Sequence, residues 1–115
     1  MRIPALLACL ALLALLAGTA ATQAAPRPRC ADAAVKQAQK LLAFHSDNDD
    51  RATVDPDSVK AIGTVGALVG KGRFDVIEVE GSIYKGNYRM RLIYAQIPGD
   101  CVLMGQEILE RSDPY

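Results

Sequence analysis

The groups in this chain that could do chemistry are one histidine beside a run of acids, three cysteines, and tyrosines interleaved with arginines. His45 is followed by Asp47, Asp49 and Asp50. A general base needs a partner held in a cleft, and these acids stand in a turn-forming run instead. His45 therefore reads as a structural or surface residue at the end of a helix, where a cation interacts well with free carbonyls. Asp47 and Asp49 have the alternate spacing of a calcium loop. That pattern next requires an acid or amide, a glycine and a later glutamate, and Arg51 and Ala52 break it. The expectation is a solvated acidic loop that holds no metal. Ser46, Ser58, Ser82 and Ser112 lie in no nucleophile motif. The glycines from Gly63 to Gly72 match no phosphate-binding loop. No catalytic, cofactor-binding or metal-ligating residue is assigned, and the chain reads as a non-enzyme without cofactors.

The cysteines bear on where the protein works. Met1-Arg2 is a short positive start, Ile3 to Ala17 is almost all alanine and leucine, and Gly18 to Ala24 supplies small residues. That order predicts a Sec-type signal peptide over residues 1–24, cleaved after Ala24, and the apolar run is too short for a membrane span. Leu6-Leu7-Ala8-Cys9 is a weaker alternative, a lipidation site that leaves almost no apolar segment before it. Residues 25–115 are then one small exported domain, periplasmic or secreted. The full chain balances 13 basic against 13 acidic residues, and losing Arg2 leaves one acid in excess. Nothing in that balance favours nucleic acid. Cys30 and Cys101 remain after cleavage, an even count in an oxidising compartment, and are expected to form a disulfide. Closing so long a loop is worth on the order of 4 kcal/mol on a chain-entropy argument. A domain of this size buries only roughly 60–65% of its unfolded surface and needs such help.

The elements that carry these groups follow from hydrophobic spacing. Pro26 and Pro28 make residues 25–29 an extended leader. A helix is predicted from about Cys30 to His45, with Ala31, Ala34, Val35, Ala38, Leu41, Leu42 and His45 on one side. Residues 46–58 read as loop. Val59 to Gly70 reads as a long strand, curved around the helix and interrupted by glycines. Arg73 to Glu110 reads as three antiparallel strands, turning at Lys85-Gly86 and at Pro98-Gly99.

Pairing across the first turn sets Tyr84 against Asn87, Ser82 against Arg89, Glu80 against Arg91, Val79 against Leu92 and Ile77 against Tyr94. This separates a charged face from an apolar face, which a one-residue slip would mix. The second turn pairs Tyr94 with Leu103 and Leu92 with Gly105, placing Cys101 on the apolar face. The other face carries Ile93, Met104 and Ile108 beside Arg89, Arg91 and Gln106, and is less polar than a solvent face should be. Tyrosine and arginine are types that interfaces favour. Tyr84, Arg89, Arg91, Ile93, Met104 and Ile108 are thus the candidate interaction surface, for a protein partner or for a homodimer through the outer sheet face.

The expected architecture is α+β: one N-terminal helix on a curved four-stranded antiparallel meander, closed by one disulfide. In element order alone it resembles the cystatin-like architecture. The protease-binding signature QxVxG of that family is absent, and Gly63-Thr64-Val65-Gly66-Ala67 is no substitute. Element order implies no function. Two readings remain: an exported binding module of the inhibitor or immunity type, or a small-ligand carrier with a pocket between helix and sheet lined by Tyr88, Met90, Leu92 and Tyr94.

Overall fold

The computed structural model describes residues 26–111 together with Gly18. The expected signal peptide, its cleavage site and Cys9 lie outside the described residues. Helix α1 spans Ala31–His45. Five strands follow: β1 Ala52–Val54, β2 Lys60–Gly66, β3 Arg73–Ile83, β4 Gly86–Ala95 and β5 Leu103–Glu110. All pairings are antiparallel, with β3 and β4 central, β5 on one edge, and both β1 and β2 on the other side of β3. The α+β class holds. The sheet has five strands instead of four, because residues 52–54 pair with Gly81–Ile83 where the sequence reads as loop. A three-residue strand leaves no alternation to detect.

Between β1 and β2 a single 3-10 turn, Pro56–Ser58, interrupts the edge. The ladder is kept by substitution. Asp55 donates its N–H to the Glu80 carbonyl, and the Ser58 hydroxyl accepts from the Glu80 N–H at 2.8 Å. β2 ends at Gly66, well short of Gly70, and all its residues are exposed. It therefore extends the sheet beyond the helix; α1 rests on β1, β3 and β4.

The helix docks through small residues. Ala34, Ala38 and Leu42 are fully buried against Ile77, Val79, Met90, Leu92 and Tyr94. Alanines let helix and sheet approach closely, and Leu42 is the one large side chain in that stripe. Asp47 and Asn48 end the helix in the left-handed region, which their short polar side chains tolerate.

The β3–β4 register differs from the sequence reading by two residues. The turn is Tyr84-Lys85, with Ile83 opposite Gly86, Glu80 opposite Arg89 and Glu78 opposite Arg91. Tyr84, not a glycine, takes the positive φ of 54°. Its ring is flanked by Arg51 at 5.0 Å and Lys85 at 5.4 Å from the centroid. Gly86 serves close approach instead: a Cβ there would meet the Tyr88 ring at 3.0 Å. A shift of two leaves every residue on its expected face, since side chains alternate with period two.

The β4–β5 ladder differs by one, which has the opposite consequence. Tyr94 pairs with Leu103 as expected, but an irregularity at Met104 then sets Ile93 opposite Gly105 and Leu92 opposite Gln106. One extra residue turns the rest of β5 over. Gln106 and Ile108 thereby move to the helix side, where Gln106 accepts a hydrogen bond from Gln37 at 2.9 Å and Ile108 packs against the core.

Cys30 and Cys101 are bonded, with their Cα atoms 5.7 Å apart, within the span a disulfide needs. Beside them the leader is anchored. Arg29 donates to the carbonyls of Ala95 (2.9 Å), Ile97 (3.0 Å) and Asp100 (2.7 Å) and lies 3.6 Å from the Asp75 carboxylate. Arg27, by contrast, pairs with the exposed Asp32 and reaches one carbonyl, that of Pro56. Arg29→Ala should lower stability by about 1–2 kcal/mol, as three charge-assisted bonds are lost at a half-exposed site, and Arg27→Ala by about 0.5 kcal/mol or less. Urea unfolding of the two variants checks this; equal effects would contradict the anchoring role.

Candidate functional site

The two faces of the sheet differ in what covers them. The helix side is closed by direct packing: Met90 and Leu92 are fully buried and Tyr94 is 2% exposed, all in the core with Ala34, Ala38 and Leu42. The residues expected to line a carrier pocket there are core residues, with Tyr88 packed at the margin against His45, ring centroids 5.4 Å apart. Burial pushes the Tyr94 phenol pKa above its ordinary value.

The opposite face carries an apolar trough of about 600 Å³, lined by Val65, Gly66, Ala67, Leu68, Val69, Phe74, Ile93 and Met104. Each lining side chain has a local cause. Val65 is paired with Phe74, so both point the same way, and Ile93 is opposite Gly105. Gly63, paired with Val76, and Gly105 place no side chain on either flank of the Val76–Ile93 pair. A Cβ at Gly63 would meet open space, and one at Gly105 would meet Ile93 at 3.5 Å. Leu68 and Val69, in the segment between β2 and β3, are fully or almost fully exposed and form the end wall.

Next to the apolar half lies a charged half. Glu78 is 6% exposed although it is on the face away from the helix. Its carboxylate is met by Arg91 Nε at 3.2 Å, Lys60 Nζ at 3.7 Å and Arg89 Nε at 4.0 Å. Arg91 also reaches Glu107 at 3.5 Å, and Arg111 pairs with Glu80. The buried Arg89 Nε has no hydrogen-bond acceptor. A second depression of about 360 Å³, lined by Lys60, Ile62, Gly63, Thr64, Val65, Val76, Glu78 and Arg91, shares Val65 with the trough. The apolar and cationic halves are therefore contiguous.

Of the residues singled out in the sequence, Ile93 and Met104 line the trough, and Arg89 and Arg91 stand in the adjoining cluster. Tyr84 is exposed at the hairpin tip, at the far end of β3 from Phe74. Ile108 is on the helix side, because of the irregularity at Met104. Sequence reasoning misses Val65, Leu68 and Val69, which it places on a strand wrapping the helix, and Phe74, which it places at the start of the next strand without assigning it to the candidate surface. It also misses the hub role of Glu78. The signal that could have found the trough is the pair of glycines, Gly63 and Gly105, flanking apolar positions on a face that is otherwise charged.

The acidic loop is held by its own chain. Asp49 accepts from the Arg51 side chain at 2.7 and 2.9 Å and from the Arg51 backbone N–H at 2.9 Å. Among the described residues no group of three or more His, Cys, Asp or Glu is gathered for a metal. The hydrogen bonds from the Arg51 side chain, then from its backbone, lower the Asp49 pKa from an ordinary 3.8 to about 2. A depressed carboxylate pKa favours folding above its unfolded value, and that contribution is lost as pH falls through about 2. In a carbon-13 NMR titration Asp49 should titrate near 2, and Arg51→Gln should return it toward the ordinary carboxylate range. An unshifted Asp49 in the parent protein would contradict the pairing.

The geometry defines an α+β domain with one sheet face closed by a helix and the other open, half apolar and half charged. Comparison with protein-family models, curated proteins and solved structures returned no match. Among the described residues no helix is long and apolar enough to cross a membrane.

Proposed function

We propose that this chain is a small exported protein that works by binding, through the outer face of its sheet, and carries out no chemistry of its own. The observation that carries this reading is the exposed apolar trough on a sheet face flanked by charges. A contiguous apolar surface rimmed by polar groups marks a contact site more often than a solvated face. With a protein partner the chain acts as an inhibitor or immunity-type module. The side chains that such a partner would meet first are Leu68, Val69 and Met104, with Arg91 and Lys60 at the rim. A second reading, a small-ligand carrier, is favoured by the trough's volume, which falls within the range of ligand sites. This places the pocket on the opposite face from the one the sequence suggested.

A photo-cross-linking amino acid placed at Leu68, and separately at the outward-facing helix residue Lys36, tests the assignment in the exporting cell. Adducts from position 68 and none from position 36 are expected. Adducts from position 36 alone would move the binding surface to the helix.

A further inference from the structure

We infer that the trough takes the apolar chain of an amphipathic carboxylate, with its head group against the Lys60–Arg91 cluster. This rests on the reading of the outer sheet face as the binding surface.

Lys60, Arg89 and Arg91 surround Glu78, and Glu107 takes a share of Arg91. Three cations face two carboxylates, so the cluster keeps one positive charge in excess. Glu80 and Arg111, the next pair along the face, cancel each other. The excess is not spread evenly. Arg91 has two carboxylate contacts, whereas Lys60 has one at 3.7 Å and a side chain 58% exposed. Arg89 has one contact at 4.0 Å and a buried Nε with no acceptor. The donors least satisfied by the protein are thus Lys60 and Arg89. Glu78 is pinned beneath the cations at 6% exposure, so an incoming anion meets the cations before it meets that carboxylate.

Val65 lines both the 600 Å³ trough and the 360 Å³ depression that contains Lys60 and Arg91. Gly63 leaves the passage between them without a side chain. A ligand with an unbranched apolar chain and a terminal carboxylate can therefore lie with its chain over Phe74 and Ile93 and its head at Lys60. A neutral apolar ligand would leave the cations with water. A cationic one would be repelled. Charge complementarity of this kind sets specificity more than raw affinity.

Dodecanoate below its micelle concentration is a suitable probe, with dodecyltrimethylammonium and dodecyl maltoside as cationic and neutral ligands of the same chain length. Binding to the disulfide-bonded protein is read by calorimetry and by backbone amide shifts. Dodecanoate should bind about tenfold or more tighter than the cationic probe, the factor given by about 1.4 kcal/mol of head-group preference. Its shifts should centre on Val65, Phe74 and Ile93. Lys60→Gln should weaken dodecanoate and leave dodecyl maltoside unchanged. Gly105→Val, which builds a side chain over Ile93 without removing a core group, should weaken all three probes at unchanged melting temperature.

Equal binding of the three probes would overturn the head-group assignment while leaving the trough as the site. Shifts confined to Tyr88 and Met90, or binding that survives Gly105→Val, would overturn the trough. If no probe binds yet cross-links still form from position 68, the occupant is a protein and the amphiphile is excluded, with the outer-face reading intact. A dimer that forms on concentration and is lost in Met104→Glu would make a second copy the occupant and overturn the inference. No probe binding together with no cross-link from position 68 would sink both.

Discussion

Replacing Cys30 and Cys101 together by serine should lower stability by roughly 2–5 kcal/mol, the usual loss for a small secreted domain deprived of its disulfide. The bond joins residues 71 apart in sequence. It ties the residue just before the helix to the loop just ahead of β5. Cys30 occupies the left-handed position just before the helix, with φ 64° and no side-chain cap. Without the bond, that strained backbone would keep Arg29 and local hydrogen bonds such as that from Ala31 N–H to the Pro28 carbonyl, but no covalent tie to the sheet. The helix should therefore lose hydrogen-exchange protection before the β3–β4 hairpin does. Denaturant unfolding with exchange read residue by residue checks both parts. A double variant as stable as the parent, or one whose strands exchange first, would contradict this role of the bond.

Leu42→Ala should cost about 2–5 kcal/mol, the range for emptying a fully buried leucine site. The size follows from the composition of the helix. Its buried residues are Ala31, Ala34, Ala38 and Leu42, so Leu42 is the one large side chain that the helix buries fully, with Val35 and Leu41 packed at the margin. Leu42 is 0% exposed. The cavity it would leave cannot close easily from the sheet side. A Cβ at Gly81 would come within 3.0 Å of Leu42 Cδ2 and 2.8 Å of the Thr53 carbonyl, so that sheet position is already occupied by the leucine and by β1. Phe44 is the control. It lies on the same helix and is larger, but is 85% exposed, and Phe44→Ala should change stability by about 0.5 kcal/mol or less. Thermal unfolding of the pair separates packing from helix propensity. A larger effect at Phe44 than at Leu42 would mean that the helix faces the other way.

What could be read from the sequence was governed by periodicity. The helix and its apolar side were legible because Ala31, Ala34, Ala38 and Leu42 repeat at helical spacing. The two faces of the β3–β4 hairpin were legible even though the turn was misplaced, because an error of two residues preserves the alternation. The last strand was not legible in the same way. Met104 adds one residue to β5, and nothing in its type announces that the strand turns over there. Ile108 therefore moved from the candidate surface into the core, and Gln106 moved with it. The edge was hidden for a different reason. Its first piece is three residues long, and Asp55 and Ser58 carry the ladder across a 3-10 turn with one backbone and one side-chain bond to Glu80. Arg29 was hidden because its partners are carbonyls more than sixty residues away. The trough was half legible: Ile93 and Met104 were read on the open face, whereas Val65, Leu68 and Val69 required knowing that β2 leaves the helix, and Phe74 required its pairing with Val65.

On the proposed function, the outer face and not the hairpin tip is the contact surface. Parallel capture from the exported fraction tests it with three forms of the protein: the parent, Met104→Glu at the edge of the trough, and Tyr84→Asn at the opposite end of β3. Met104 is half exposed and Tyr84 two-thirds exposed, so neither change should disturb the core, which circular dichroism melts would verify. Whatever the parent retains should be lost by Met104→Glu and kept by Tyr84→Asn. Retention by Met104→Glu together with loss by Tyr84→Asn would contradict this assignment, and would place recognition at the hairpin tip.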